Sequence, residues 1–206
     1  MIGHVPGQDV TPLERLKSDA WKKAQEATGT AYIFEVRARR LRNRLNILNF
    51  VGLAVPLLVG AIVLGYGTSF KPLRLLIPLA IAAGCVQLVV FTWSVVAQWV
   101  NSYDRATQAL VANRSLAERY QSLAKEQAAN FEDFQHRLAV LDAADDARRN
   151  EDYREAITDT EKRMGMHALL LQYEKECAAC KIKPVSMIPT TCGVCGDYPE
   201  RWIRHR

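Results

Sequence analysis

Residues 47–66 read ILNFVGLAVPLLVGAIVLGY, and residues 75–100 read LLIPLAIAAGCVQLVVFTWSVVAQWV. Neither stretch contains an Asp, Glu, Lys or Arg. As a helix that rises about 1.5 Å per residue, each is long enough to cross a hydrocarbon core of about 30 Å. A buried core helix is the alternative, but the rest of the chain is rich in charge and offers little to cover two such helices. The two stretches therefore predict a hairpin of transmembrane helices.

The connection between the two stretches, GTSFKPLR (67–74), is so short that the helices must be antiparallel neighbours. Gly52 and Gly60 share one face of the first helix, and Ala80 and Gly84 share one face of the second. Small residues at such spacing allow two membrane helices to pack closely. The spans carry no charged side chain, which argues against an ion-coupled transporter.

Five arginines lie directly before the first span, whereas the connection carries only Lys71 and Arg74. The formal net charge of +5 can signal nucleic-acid binding. The position of the arginines instead favours lipid headgroups and a cytoplasmic location for both termini. The five are Arg37, Arg39, Arg40, Arg42 and Arg44.

The remaining sequence predicts helices. Thr11 and Glu14 form a capping box, with Pro12 at the first helical position. After Trp99, apolar side chains recur at helical spacing as a packing face, with a break near residues 129–130.

Two further segments follow this face. Residues 142–152 are polar on every side and predict a turn or a solvated helix end. A further helix is expected at about 151–176. No strand pattern is present, which indicates an all-α fold apart from a small terminal module.

Four cysteines stand close together near the end of the chain, as Cys177-Ala-Ala-Cys180 and Cys192-Gly-Val-Cys195, with eleven residues between the pairs. Two such pairs can direct four thiolates at one ion, the ligand arrangement of a structural Zn²⁺ site. Disulfides would need an oxidising compartment, and a redox pair would need a preceding strand. Glycine tolerates the backbone angles of a tight turn, so Gly193 and Gly196 suit the knuckle between the cysteines.

The predicted fold class is thus an all-α membrane protein in four parts. These are an N-terminal tail and amphipathic helix (1–46), the transmembrane hairpin (47–100, with spans 47–66 and 75–100), a cytoplasmic helical region (101–173) and a zinc-ribbon-like module (174–206). Phosphate-binding loops, nucleophile elbows and metalloprotease motifs are absent from the sequence. We therefore expect no enzymatic activity and no catalytic residues.

This layout resembles the SLATT superfamily of two-transmembrane effectors, which associate with SLOG proteins and bacterial nucleotide signalling. The segment AYIFEVRARRLRNRLNILNFVGLAVPLLVGAIVLGYG is typical of that superfamily. The spacing of Cys177, Cys180, Cys192 and Cys195 is similar to that of the mobilome CxxCx(11)CxxC proteins, which are named for this motif.

The resemblance implies a membrane-perturbing effector in the bacterial inner membrane, acting in defence against phage or mobile elements. Such an effector would form a pore as a homo-oligomer in membrane lipid. Its trigger would be a partner sensor or a nucleotide-synthesising protein encoded nearby. The alternative is a membrane-anchored adaptor whose zinc module binds a partner protein or nucleic acid.

Overall fold

The computed structural model describes residues 11–66, 73–126 and 130–202. The predicted N-terminal tail, most of the connection between the spans and the last four residues lie outside this part of the chain. Within it every regular element is helical and no strand occurs, so the all-α class is confirmed. The elements are α1 (Pro12–Tyr66), α2 (Leu73–Val96), α3 (Trp99–Lys125), α4 (Phe131–Tyr153), α5 (Asp159–Gln172) and a 3₁₀ turn at Glu200–Trp202.

The chain forms two compact units. One, called the helical unit below, comprises the described residues 11–36 and 108–202. The other, called the hairpin unit, comprises Arg37–Thr107.

Capping boxes begin two of the helices in the helical unit. The Glu14 amide donates to Thr11 Oγ1 at 3.3 Å and the Glu14 carboxylate accepts from the Thr11 amide at 2.9 Å, so the predicted start of α1 is confirmed. Thr158 and Glu161 make the same pair of bonds at the start of α5. Each box satisfies amides that have no partner within the helix.

The core of the helical unit lies between α1, α3 and α4. Small side chains of α1 such as Ala20 and Ala24 pack against larger ones, including Tyr120 on α3 and Phe134 on α4. The buried Tyr120 hydroxyl donates to Asp142 Oδ1 at 2.9 Å. The helical stripe after Trp99 is therefore a packing face within the chain, covered by the first helix and by a later one.

Of the two alternatives predicted for 142–152, a turn or a solvated helix end, the structure has the helix end, but two of its carboxylates are not solvated. These residues lie inside α4, and Asp145 and Asp152 are buried with exposed fractions of 8 % and 5 %. Arg148 and Arg149, one turn away on the same helix, pair with these carboxylates. The next helix is also shorter than the expected 151–176, because α4 ends at Tyr153 and a loop precedes α5.

Two glycines bring α1 and α5 into close contact. A Cβ atom built on Gly165 would lie 2.8 Å from the carbonyl oxygen of Gly29 and 2.9 Å from Ile33 Cγ1. The reverse contact, from a Cβ on Gly29 to the carbonyl oxygen of Gly165, measures 3.3 Å. α1 remains helical through Gly29, and the missing side chain at this position lets the α5 backbone come close.

In the hairpin unit, α1 and α2 are antiparallel neighbours. The Gln87 side chain of α2 reaches so close to Gly52 that a Cβ there would lie 2.5 Å from its Nε2. Further along, Ile62 of α1 and Leu76 of α2 line one groove. Both helices continue through their internal prolines.

The second predicted span, 75–100, includes more than one helix. α2 ends at Val96, and a turn at Ala97 and Gln98 separates it from α3. Gln98 has φ 50°, in the left-handed region that a continuing helix cannot use.

Both apolar helices are long and apolar enough to cross a membrane. In their most apolar windows, only 6 % and 0 % of the residues are buried within the protein. Large side chains of the hairpin are about two-thirds exposed or more; Phe50, Leu57 and Leu88 are 72 %, 70 % and 67 % exposed. The hairpin therefore presents an apolar surface that the described part of the chain does not cover.

Candidate metal centre

The four predicted ligands come together after α5. The Sγ atoms of Cys177, Cys180, Cys192 and Cys195 all lie within 4.8 Å of one another, and Cys180 and Cys195 are 3.8 Å apart. Sulfur atoms bound tetrahedrally at about 2.3 Å from one Zn²⁺ would be about 3.8 Å apart. The arrangement is thus of the size that one metal ion needs.

Each cysteine pair forms a turn closed by a backbone hydrogen bond. The Lys181 amide donates to the Cys177 carbonyl at 2.8 Å, and the Gly196 amide donates to the Cys192 carbonyl at 2.8 Å. Left-handed residues follow each turn, Lys181 with φ 59° and Asp197 with φ 54°. The two turns therefore direct both thiols of each pair to the same side.

The glycines act differently from the prediction. Neither Gly193 nor Gly196 occupies the left-handed region. A Cβ on Gly196 would lie 2.3 Å from both the carbonyl oxygen and Oγ1 of Thr190, so this position requires close backbone approach. Gly193 has open space around it.

Hydrogen bonds and burial give the thiols different acidities. Amides of Cys195 and Val194 lower the pKa of Cys192 to about 6. Burial raises the pKa of Cys177, but the amides of Cys180 and Ala179 outweigh it and lower the value overall. Burial raises the pKa of Cys195, and hydrogen bonds with the other thiols raise it further. Amide donors that favour thiolates prepare the site for a cation.

His167, which no sequence pattern marks as part of the site, joins the site to α5. It is 1 % exposed, and its Nδ1 lies 2.6 Å from the carbonyl oxygen of Cys195 while its Nε2 lies 2.7 Å from that of Ser186. Its ring also meets Tyr198 edge-on, at 5.5 Å between centroids. Its place among apolar residues of α5 was the only signal in the sequence, and that pattern is equally typical of a core position.

The cysteine region is an integral part of the helical unit. Leu169 and Leu170 of α5 pack against Cys177 and Cys195, and Tyr198 packs with Ile33 of α1. Turns connect the cysteines, and the 3₁₀ turn Glu200–Trp202 follows the last of them. Within residues 174–202 the hairpin of a zinc ribbon is not present.

Two lysines near the site have partners. Lys183 Nζ is 2.8 Å from Glu174 Oε2, and Lys175 Nζ donates to Gln25 at 3.0 Å. Trp202 packs against a core cluster of this unit. These contacts reduce the positive, stackable surface that a nucleic-acid site would use.

The donor set fits a metal. Four sulfur atoms converge, two of the cysteines are buried, and soft thiolate ligands select Zn²⁺, Cu⁺ or iron–sulfur clusters over hard cations. Among the described residues, this is the one cluster of His, Cys, Asp or Glu side chains arranged closely enough to hold an ion.

A family model described as Mobilome CxxCx(11)CxxC protein matches residues 17–198. The chain belongs to this family. The spacing in the family's description corresponds to the four cysteines that converge here. The match also includes both predicted spans and every fully buried residue of the core clusters of the helical unit. No curated protein and no solved structure matches the chain.

Proposed function

We propose that this Mobilome CxxCx(11)CxxC protein is a membrane effector of the SLATT type in the bacterial inner membrane. Its α1–α2 hairpin spans the bilayer, several copies assemble, and the hairpins together form a pore in a defence system directed at phage or mobile elements. A partner sensor or a nucleotide signal starts the assembly. The uncharged and uncovered hairpin is the observation that carries this proposal.

Polar groups of the hairpin support its insertion in lipid. Thr92 Oγ1 donates to the Leu88 carbonyl at 2.8 Å, and Ser94 Oγ donates to the Phe91 carbonyl at 2.8 Å. Hydroxyl groups satisfied within their own helix cost little in hydrocarbon, where no water replaces a missing bond.

The residues where the chain enters and leaves the hairpin suit the interface between lipid and water. The guanidinium of Arg44 lies over the ring of Trp99, 5.7 Å from its centroid. Tryptophan and arginine prefer the headgroup region of a bilayer. With the other arginines before the first span, this pair favours cytoplasmic termini.

Assembly is required because two helices cannot enclose an aqueous channel. A groove of about 690 Å³ runs between α1 and α2, lined by residues including Gly52, Gly60, Gly84 and Gln87. It is mostly apolar and open along the lipid-facing side, and a helix of another copy would fill it.

The cysteine site has a structural role in this proposal. Zn²⁺ held by all four cysteines would have no open position for a substrate. Its contribution would be to hold residues 174–202 against α5 and α1, since so short a segment buries little apolar surface of its own.

The proposal is tested by reconstituting the zinc-loaded protein in liposomes of bacterial lipid and measuring release of an encapsulated dye, with and without the neighbouring genes' products. The test variant is Gly84→Leu, which fills the groove; a Cβ there meets no atom of the protomer within 4 Å. The matched control is Val86→Leu on the same helix, a position 64 % exposed and outside the groove. We expect dye to leak from liposomes that contain the wild type or the control variant, and much less dye to leak from liposomes that contain Gly84→Leu. Liposomes that stay intact under all conditions would contradict pore formation.

A membrane-anchored adaptor is the second candidate, and exposed apolar side chains on the cysteine region favour it. Val185 is 89 % exposed, and Ile188 and Ile182 are 64 % and 58 % exposed. Single exposed apolar residues are common, but several within one short segment are typical of a binding surface. In an adaptor, Val185→Lys with Ile188→Lys would abolish function while metal content and membrane insertion stay unchanged. In a pore-former, the same double variant would still leak dye.

A further inference from the structure

A cavity of about 370 Å³ lies inside the helical unit, away from the cysteines. Residues of α1, α3, α4 and α5 and of the loop before α5 line it. Its volume falls within the range of small-molecule sites, about 300–1,000 Å³.

The inner wall of the cavity is polar and well buried. Asn113 is 3 % exposed; its Nδ2 donates to the Ala109 carbonyl at 3.0 Å and to Asp152 Oδ2 at 2.8 Å. Asp145 accepts from Arg149 through Oδ2, at 3.0 Å. Within the described residues, no hydrogen bond reaches Asn113 Oδ1 or Asp145 Oδ1. Both residues line the cavity, so these two oxygens can accept hydrogen bonds from a ligand there.

Charges around the cavity leave carboxylates in excess. Asp152 pairs with Arg148, whose Nε and Nη2 lie 2.9 and 2.5 Å from Asp152 Oδ1, and the exposed Glu151 pairs with the same guanidinium. Lys162, at the rim, pairs with Asp159 at 2.9 Å. The charges of Asp152 and Lys162 are therefore each met by a partner that does not line the cavity.

The remaining charged residues do not balance. Asp145 and Glu26 share the single guanidinium of Arg149, at 3.0 and 3.5 Å. Burial lowers the pKa of Arg149, but the two carboxylates outweigh it and raise the value overall. A ligand that carries one positive charge would neutralise the carboxylate that Arg149 leaves unbalanced.

The other walls suit an apolar or aromatic body. Ala27 and Ile33 of α1 and Ile157 of the loop face the cavity, and the ring of Tyr153 stands at its edge, 74 % exposed. An ammonium group beside carboxylates with an aromatic ring nearby is a common form of amine recognition.

We propose that this cavity binds an organic cation, a primary amine with a small apolar or aromatic body. The ammonium group lies between Glu26 and Asp145 and donates to Asn113 Oδ1, and the body lies against Ile33, Ile157 and Tyr153. The site is distinct from the cysteine centre and from the hairpin.

The test uses the zinc-loaded full chain in detergent and three probes of one shape: benzylamine, benzyl alcohol and benzoate. Binding is measured by ligand-observed NMR titration. Because a hydrogen bond to a charged group contributes about 1.5–3 kcal/mol, we expect benzylamine to bind at least about tenfold more tightly than benzyl alcohol. Benzoate should not bind.

Two variants locate the site. Asp145→Asn removes the buried carboxylate, and Glu26→Gln removes the rim carboxylate, whose side chain is 66 % exposed and so contributes little to folding. Each should weaken benzylamine binding about fivefold or more. The control, Glu132→Gln, changes an exposed carboxylate of α4 outside the cavity and should have no effect.

Equal affinities for the amine and the alcohol would overturn the proposal, since detergent partitioning or apolar contact would then explain binding. Tighter binding of benzoate would instead assign the cavity to anions through Arg149 and Lys162. Benzylamine binding that Glu26→Gln leaves unchanged would place the amine elsewhere on the chain, even if Asp145→Asn fails to fold.

Discussion

Alanine at position 165 is expected to destabilise the helical unit, whereas alanine at position 29 is not. Both glycines are buried at the crossing of α1 and α5. A new methyl group on residue 165 would lie 2.8 Å from the Gly29 carbonyl oxygen and 2.9 and 3.0 Å from two carbons of Ile33. A methyl group on residue 29 would approach the Gly165 carbonyl no closer than 3.3 Å.

The difference between the two variants isolates this contact. Glycine to alanine inside a helix gains about 1 kcal/mol of helix propensity in both cases. A clash with backbone in a packed core costs about 1–3 kcal/mol, and only Gly165→Ala meets one. We therefore expect Gly165→Ala to be about 1–3 kcal/mol less stable than Gly29→Ala, which should equal or slightly exceed the wild type.

Pulse proteolysis in urea, on the zinc-loaded protein in detergent, measures this difference through cleavage within residues 108–202. Zinc content is measured in parallel, so that loss of the metal is not mistaken for loss of the crossing. Equal stabilities of the two variants would refute the close helix contact, and a less stable Gly29→Ala would mean that the crossing is offset from this geometry.

Three further predictions concern the cysteine centre. Cys192→Ser should release most of the bound zinc, measured by plasma mass spectrometry, and make residues 174–202 sensitive to protease; unchanged metal content would disprove the zinc assignment. His167→Phe should reduce stability by about 1–3 kcal/mol, because a ring N–H that donates to a buried carbonyl of Cys195 or Ser186 is lost; a melting curve like that of the wild type would count against this role. In chelator-treated protein, iodoacetamide should modify Cys192 faster than Cys195 at pH 7, because the amides of Val194 and Cys195 that lower the Cys192 pKa lie in the same short turn and need no metal to stay close. The Cys192 rate should fall as pH drops through about 6, since the thiolate persists only above that pH. Peptide mass spectrometry across pH 5–8 checks this order, and a faster Cys195 would contradict it.

Local patterns in the sequence were enough to predict the apolar hairpin helices, the Thr11–Glu14 cap and the convergence of the cysteines. Each depends on neighbouring residues: long runs without charge, a box four residues wide, and two fixed spacings. The end of α2 at Val96 was missed because Ala97 and Gln98 carry no turn signal in their side chains, and an uncharged run gives no sign of where a helix stops.

What was missed depends on distant partners. Asp145 and Asp152 look solvated in sequence because a buried carboxylate can be recognised only with its partner, and Asn113 lies 39 residues before Asp152. The close crossing at Gly29 cannot be predicted until Gly165 is placed against it. The zinc-ribbon hairpin was expected because eleven residues can form two short strands, but this loop instead makes its hydrogen bonds with α5 and with the second cysteine turn.

That loop gives the eleven-residue spacing a reason beyond metal binding. Between Cys180 and Cys192 it places the Ser186 carbonyl 2.7 Å from His167, the Met187 carbonyl 2.9 Å from the Tyr198 hydroxyl and the Thr190 carbonyl 2.6 Å from the Asp197 amide. Two cysteine pairs could surround an ion with loops of many lengths. A loop one residue shorter or longer would shift these carbonyls by about 3 Å along the chain and leave their donors unpaired. The eleven-residue spacing in the family's description therefore also fixes how this loop packs against α5. Insertions in the loop should be tolerated far less than its exposed surface suggests.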